Sequence, residues 1–161
     1  MIDEIDLVPL VAQHQRWLAA CGRLERAADA LPALPDAIEA AALRVELRKL
    51  LPGEAAAAGY LLAHLYAREA ATPLGARLFA RLQCRRAALS VEAADLADML
   101  GAEAPSRPSA DTIGYMFRSV FATCREVSLL EQLLPLLLAP DRLTASARTL
   151  LTERACMPAC V

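Results

Sequence analysis

Residues 113–137 read IGYMFRSVFATCREVSLLEQLLPLL, and the spacing within this stretch decides the fold. Ile113, Phe117, Val120, Cys124, Val127, Glu131 and Leu134 recur at alternating steps of four and three. Those steps return each residue to one face of an α-helix, so the seven form a single stripe. Glu131 is the exception in an otherwise apolar row, with Leu129, Leu130, Leu133 and Leu134 around it. Carboxylates are rarely buried unless they are paired or hold a cation. The stretch therefore predicts a long buried helix and a polar partner for Glu131 on another element.

The same pattern extends outward in both directions. Ser109 follows the loop GAEAPSRP (101–108) and caps this helix, which runs to about Leu138 with Pro135 near its end. Upstream, Thr72-Pro73 is a cap and first-turn pair for a helix ending near Leu100 at Gly101. Its stripe is Leu78, Leu82, Arg86, Leu89, Ala93, Leu96 and Leu100. Asp36 with Glu39 forms a capping box for an earlier helix that continues to about Ala71, kinked or split at Pro52-Gly53. Leu43, Leu47, Leu50, Glu54, Ala58, Leu61 and Leu65 form its stripe. The first helix spans about Leu7 to Ala30, with Leu7, Val11, His14, Leu18 and Cys21 inward. A short helix from about Thr144 to Arg154 precedes the tail CMPACV.

Short connections force consecutive helices antiparallel. The expectation is an all-α, up-down-up-down four-helix bundle with a short C-terminal fifth helix. Residues 1–155 would form one domain and 156–161 a flexible tail. Composition agrees: of 161 residues 57% are hydrophobic but only 4% aromatic, so the core is built from Leu, Ala and Val. Leu and Ala are strong helix formers.

Charge excludes several partners. Seventeen basic and 19 acidic residues are mixed along the chain, for a net −2. No basic block marks a nucleic-acid or anionic-membrane surface. No apolar run reaches the roughly 18–20 residues of a membrane span, and the acidic start Met1–Asp6 lacks the features of a signal peptide. Five cysteines, an odd number lying mostly in helical patterns, suit reduced thiols and a cytoplasmic location. The mean hydropathy of +0.34 implies either a core large for the size or an apolar face covered by a second copy, and the second, a homodimer, is the favoured expectation.

Each long stripe carries one ionisable residue: His14, Glu54, Arg86 and Glu131. One such interruption could be a seam-edge side chain reaching water. One on every helix points to a shared polar layer inside the bundle.

At these residues the chain resembles the hemerythrin-like (HHE cation-binding) family. LVAQHQRWLAACGRLERAADALP (10–32) resembles that family's first helix, with a ligand histidine at His14. RLQCRRAALSVEAADLADML (81–100) resembles the third helix and IGYMFRSVFATCREVSLLEQLLPLL (113–137) the fourth. RLT (142–144) is similar to the entry to the short last helix. The resemblance implies two iron ions held by histidines and carboxylates. It places the second-helix pair on Glu54 and Ala58, the third-helix pair on Arg86 and Ser90, and the fourth-helix pair on Val127 and Glu131. Only His14 and Glu131 keep a ligand type in place, and Glu54 is a carboxylate where histidine is expected. An alternative register through His64, with Glu69 nearby, leaves too little chain before Arg86, so His64 reads as an ordinary, partly exposed residue.

A permanent guanidinium at position 86 opposes cation binding. The leading expectation is a metal-free, non-enzymatic module, structural, partner-binding or regulatory, in which Arg86 pairs with Glu54 and Glu131 and His14 hydrogen-bonds nearby. Arg86→Met would then be tolerated or slightly destabilising. The alternative is a residual metal site of His14, Glu54 and Glu131, binding iron for oxygen, iron or redox sensing. A third reading takes Cys156 and Cys160, the C-x-x-x-C pair of the tail, as redox thiols beside a default of inert tail cysteines. No nucleophile–base constellation and no Gly-rich phosphate loop is present, which argues against hydrolase or nucleotide chemistry.

Overall fold

The computed structural model describes residues 7–50, 63, 64, 67, 72–103, 106 and 108–156. Within them the fold is all-helical. Helix α1 spans Val8–Asp29, α2 Ala37–Arg48, α3 Pro73–Leu100, α4 Ala110–Leu138 and α5 Ala145–Cys156, with a single 3-10 turn at Pro140–Arg142 before α5.

The caps read from the sequence are in place. Asp36 accepts from the backbone N–H of Ile38 and Glu39 at 2.8 Å, and the Glu39 carboxylate accepts from the Asp36 N–H at 3.2 Å. Thr72 accepts from Gly75 N–H and Ser109 from Thr112 N–H. Thr144 does the same for α5 through Ala147 N–H. Each satisfies a donor that a helix start leaves orphaned.

The helix expected to kink or split at Pro52-Gly53 closes before them, and residues 63, 64 and 67 beyond them are helical. Helix α2 ends at Arg48, where Lys49 N–H and Leu50 N–H tighten onto Glu46 O and Leu47 O. The residue before a proline is disfavoured in helical geometry, so the last turn closes ahead of Pro52. Of the expected continuation, Glu54, Ala58, Leu61, Leu65, Glu69 and Ala71 lie outside the described residues. Helix α5 runs to Cys156, two residues beyond the expected end, so the backbone of that cysteine closes a helix. Cys160 lies outside the described residues.

Cross-contacts fix direction. Between α1 and α4, His14 meets Glu131, Glu25 meets Arg125 and, just beyond α1, Leu31 meets Gly114. One number rises as the other falls, so the two helices are antiparallel. Trp17 with Lys49 and Arg23 with Glu46 show the same for α1 and α2. Gly75 with Leu138 and Arg85 with Thr123 show it for α3 and α4. Each of α1 to α4 packs on the next in chain order, α4 also packs on α1, and α5 lies on α4. At Gly75 the Leu138 side chain fills the space a Cβ would take, since a Cβ there would stand 2.7 Å from Leu138 Cδ2.

The main core joins Trp17, Leu24, Leu47, Leu82, Leu89, Leu96, Phe117, Val127 and Leu134, among others. A smaller cluster of Leu7, Leu10, Leu143 and Leu151 seats α5. The α4 stripe is buried at all seven positions. The α1 stripe is corrected: Leu18 is 63% exposed, and the inward row is Leu10, Gln13, His14, Trp17, Cys21 and Leu24. The indole N–H of Trp17 donates to Lys49 O at 3.1 Å, which lets its large ring turn inward.

Candidate functional site

Glu131 is fully buried on the inward face of α4. Pro135, four residues later, has no N–H to give the Glu131 carbonyl, so α4 runs on through this turn with one helical hydrogen bond fewer. From α3, Arg86 reaches Glu131 Oε1 with Nε at 2.7 Å and with its second guanidinium nitrogen, Nη2, as well. Both donors fall on one oxygen in a charge-assisted contact. From α1, His14 Nε2 lies 2.7 Å from the other oxygen, Oε2, and the Gln13 amide donates to that oxygen at 3.4 Å. Gln132 presents its amide nitrogen to His14 Nδ1 at 3.4 Å.

An amide nitrogen only donates, so Nδ1 of His14 accepts and Nε2 carries the proton toward Glu131. The Arg86 guanidinium and the Glu131 carboxylate supply one charge of each sign to this knot of side chains. Arg86 is 18% exposed, so its stem crosses the seam and its head touches the interior from the side.

Three of the four residues read as a polar layer thus meet at Glu131, with His14 on one of its oxygens and Arg86 on the other. Glu54 lies outside the described residues. Gln13 and Gln132 were missed, because glutamine is exposed by default. The available signal was position: Gln13 precedes His14 and Gln132 follows Glu131. Ser90 turns back to the Arg86 carbonyl at 3.1 Å and takes no part. Val127 is a core residue, and His64 is exposed on its helix.

The donor set does not fit a di-iron centre. Both oxygens of Glu131 are occupied by protein donors, Nε2 of His14 is directed at one of them, and a permanent cation stands where metal would need to approach. Among the described residues, no three of His, Cys, Asp and Glu converge as a metal ion requires.

Elsewhere on α1 and α4, Cys21 and Cys124 are buried against each other. The contact with Cys124 holds the Cys21 thiol below its ordinary range. The same contact, together with burial, pushes Cys124 well above it. An open cleft of about 300 Å³ lies between the end of α1 and α2, lined in part by Arg23, Arg26, Glu39, Leu43 and Glu46, and it includes no member of the knot. No helix among the described residues is long and apolar enough to cross a membrane.

Compared with known proteins, the chain matches no family model, no curated protein and no solved structure. The hemerythrin-like resemblance therefore rests on the residues quoted for it and on nothing in these comparisons.

Proposed function

We propose that this chain is a hemerythrin-like four-helix bundle in which an internal ion pair stands in place of a di-iron site, and that it acts as a non-enzymatic structural, partner-binding or regulatory module. One observation carries the reading: the Arg86 guanidinium, 2.7 Å from the fully buried Glu131 carboxylate, neutralises the charge a cation would otherwise balance. A buried pair of this kind adds little net stability over an apolar substitute but ties two helices to one register. The chain would work as a cytoplasmic homodimer, its second copy covering exposed apolar residues such as Leu18, Leu129 and Leu137.

A second reading has one observation in its favour. His14 and Glu131 are a buried imidazole and carboxylate 2.7 Å apart, both of them metal-binding groups. With Glu54 they would make a residual iron site for oxygen, iron or redox sensing, provided that Arg86 swings out. Anaerobic loading with ferrous iron, desalting and elemental analysis separate the two. The leading reading expects iron only at trace levels and no ligand-to-metal absorption band. About one or more iron per chain, lost in Glu131→Gln, would establish the second.

A further inference from the structure

Cys21 and Cys124 stand opposite each other on the α1–α4 seam. Two contacts across this seam, His14 with Glu131 and Leu31 with Gly114, have numbers that sum to 145, while the long side chains of Glu25 and Arg125 reach across it at 150. Cys21 and Cys124 also sum to 145, which places them at one level of two antiparallel helices. Both are inside, Cys21 at 7% exposure and Cys124 at 2%, and both belong to the main apolar core. Glu25 and Arg125 form an ion pair one turn or less away, at the seam's solvent edge. The two thiols also differ in depth: Cys21 is the more exposed and Cys124 the deeper. The contact with Cys124 lowers the Cys21 pKa against burial and the Glu25 carboxylate, which Arg125 partly offsets, while Cys124 is pushed up and keeps its proton. A redox dithiol needs one thiol of each kind, an attacking one and a resolving one.

We infer that Cys21 and Cys124 are a modification site, a dithiol that a hydroperoxide converts reversibly into an α1–α4 disulfide. The Cys21 thiolate attacks the distal oxygen of hydrogen peroxide. The O–O bond breaks, and the departing hydroxide takes a proton to become water. Cys21 is left as the sulfenic acid. The Cys124 sulfur then attacks the Cys21 sulfur, the S–O bond breaks, and the hydroxide leaves as a second water with the Cys124 proton. Two thiols and one peroxide give one disulfide and two waters; the thiols lose two electrons and the peroxide gains them. The new bond ties α1 to α4 at a point seven residues, about 10 Å along the helix, from the His14–Glu131 contact. A dithiol reductant reverses it.

Tryptic cleavage after arginine gives every relevant cysteine its own peptide: WLAACGR for Cys21, SVFATCR for Cys124, LQCR for Cys84 and ACMPACV for the tail pair. Reduced full-length protein is treated with hydrogen peroxide in slight excess, blocked with iodoacetamide, digested without reductant and mapped by mass spectrometry. The expected product is WLAACGR linked to SVFATCR, lighter by two hydrogens than the separate peptides, formed in most molecules and lost on treatment with dithiothreitol. Oxidised protein should also unfold at higher urea than reduced protein. In Cys124→Ala, Cys21 should accumulate sulfenic acid trappable by dimedone, and in Cys21→Ala, Cys124 should remain a thiol. The inference is overturned if folded wild-type protein keeps both peptides singly alkylated while Cys84 or the tail oxidises. It is overturned equally if the linked peptide appears only after unfolding in urea.

Discussion

The α1–α4 seam holds two polar levels of opposite character. At His14 and Glu131 the contacts are charged or strongly directional, and Arg86 completes them from a third helix. Two helical turns away, Cys21 and Cys124 form a weak thiol pair between apolar neighbours. Both levels lie at the same interface and both are buried. The first holds together by compensation, so deleting any one member exposes the others to a medium that does not solvate them. The second consists of groups that behave as small hydrophobes until they are oxidised. Burial alone therefore says little about tolerance: what matters is whether each group depends on a partner.

The largest expected difference follows directly. Glu131→Leu leaves the Arg86 guanidinium without its counter-charge and should lower stability by about 3–5 kcal/mol, read from urea unfolding. The double variant Arg86→Met with Glu131→Leu should recover most of that loss, because nothing charged is left behind. The sequence alone makes Arg86→Met tolerated or slightly destabilising. With Glu131 fully buried it should instead resemble Glu131→Leu, for the same reason with the sign of the charge reversed. If both single changes prove mild, the first level is not held by compensation.

The apolar step between the levels sets the scale for the second comparison. Val127 is fully buried on α4, and Val127→Ala should cost about 2 kcal/mol through lost burial and a small cavity. Cys21→Ala, in reduced protein, should cost about 1 kcal/mol, the loss of one small soft side chain. An effect as large as that of Glu131→Leu would erase the contrast. The smallest effect is expected at the solvent edge. Arg125→Ala breaks an exposed pair with Glu25 and should change stability by less than about 0.5 kcal/mol. It should nevertheless slow peroxide oxidation of Cys21, whose ionisation Arg125 favours.

The helices differ in how much of this was legible. Every member of the α4 stripe was readable, because its apolar residues leave one face continuous and the others mixed. In α1 the apolar residues come in adjacent pairs, Leu10-Val11 and Trp17-Leu18, so two registers fit almost equally. Of the stripe read from the sequence, Leu7, His14 and Cys21 are buried and Val11 packs on the smaller cluster, but Leu18 faces out and Trp17 takes the inward place. The indole hydrogen bond to Lys49 O favours that place, and no periodicity shows it. Glu131 was visible as a carboxylate among leucines, whereas Gln13 and Gln132 became visible only once His14 and Glu131 were placed. Glu46 was hidden likewise: it is buried under ion pairs from Arg23 and Lys49, one of which comes from another helix. The Cys21–Cys124 pairing needed the antiparallel register of α1 on α4, which short connections imply in direction but not in phase.

The central claim is that the Arg86 guanidinium is held by Glu131 inside the fold. The most direct measurement is proton exchange at arginine Nε–H groups, followed in ¹⁵N-labelled protein and assigned by difference with Arg86→Met. The account predicts a slowly exchanging Nε–H that is absent in Arg86→Met and that exchanges much faster in Glu131→Gln. If Arg86→Met removes only a fast-exchanging signal, the guanidinium is in water and the account is wrong.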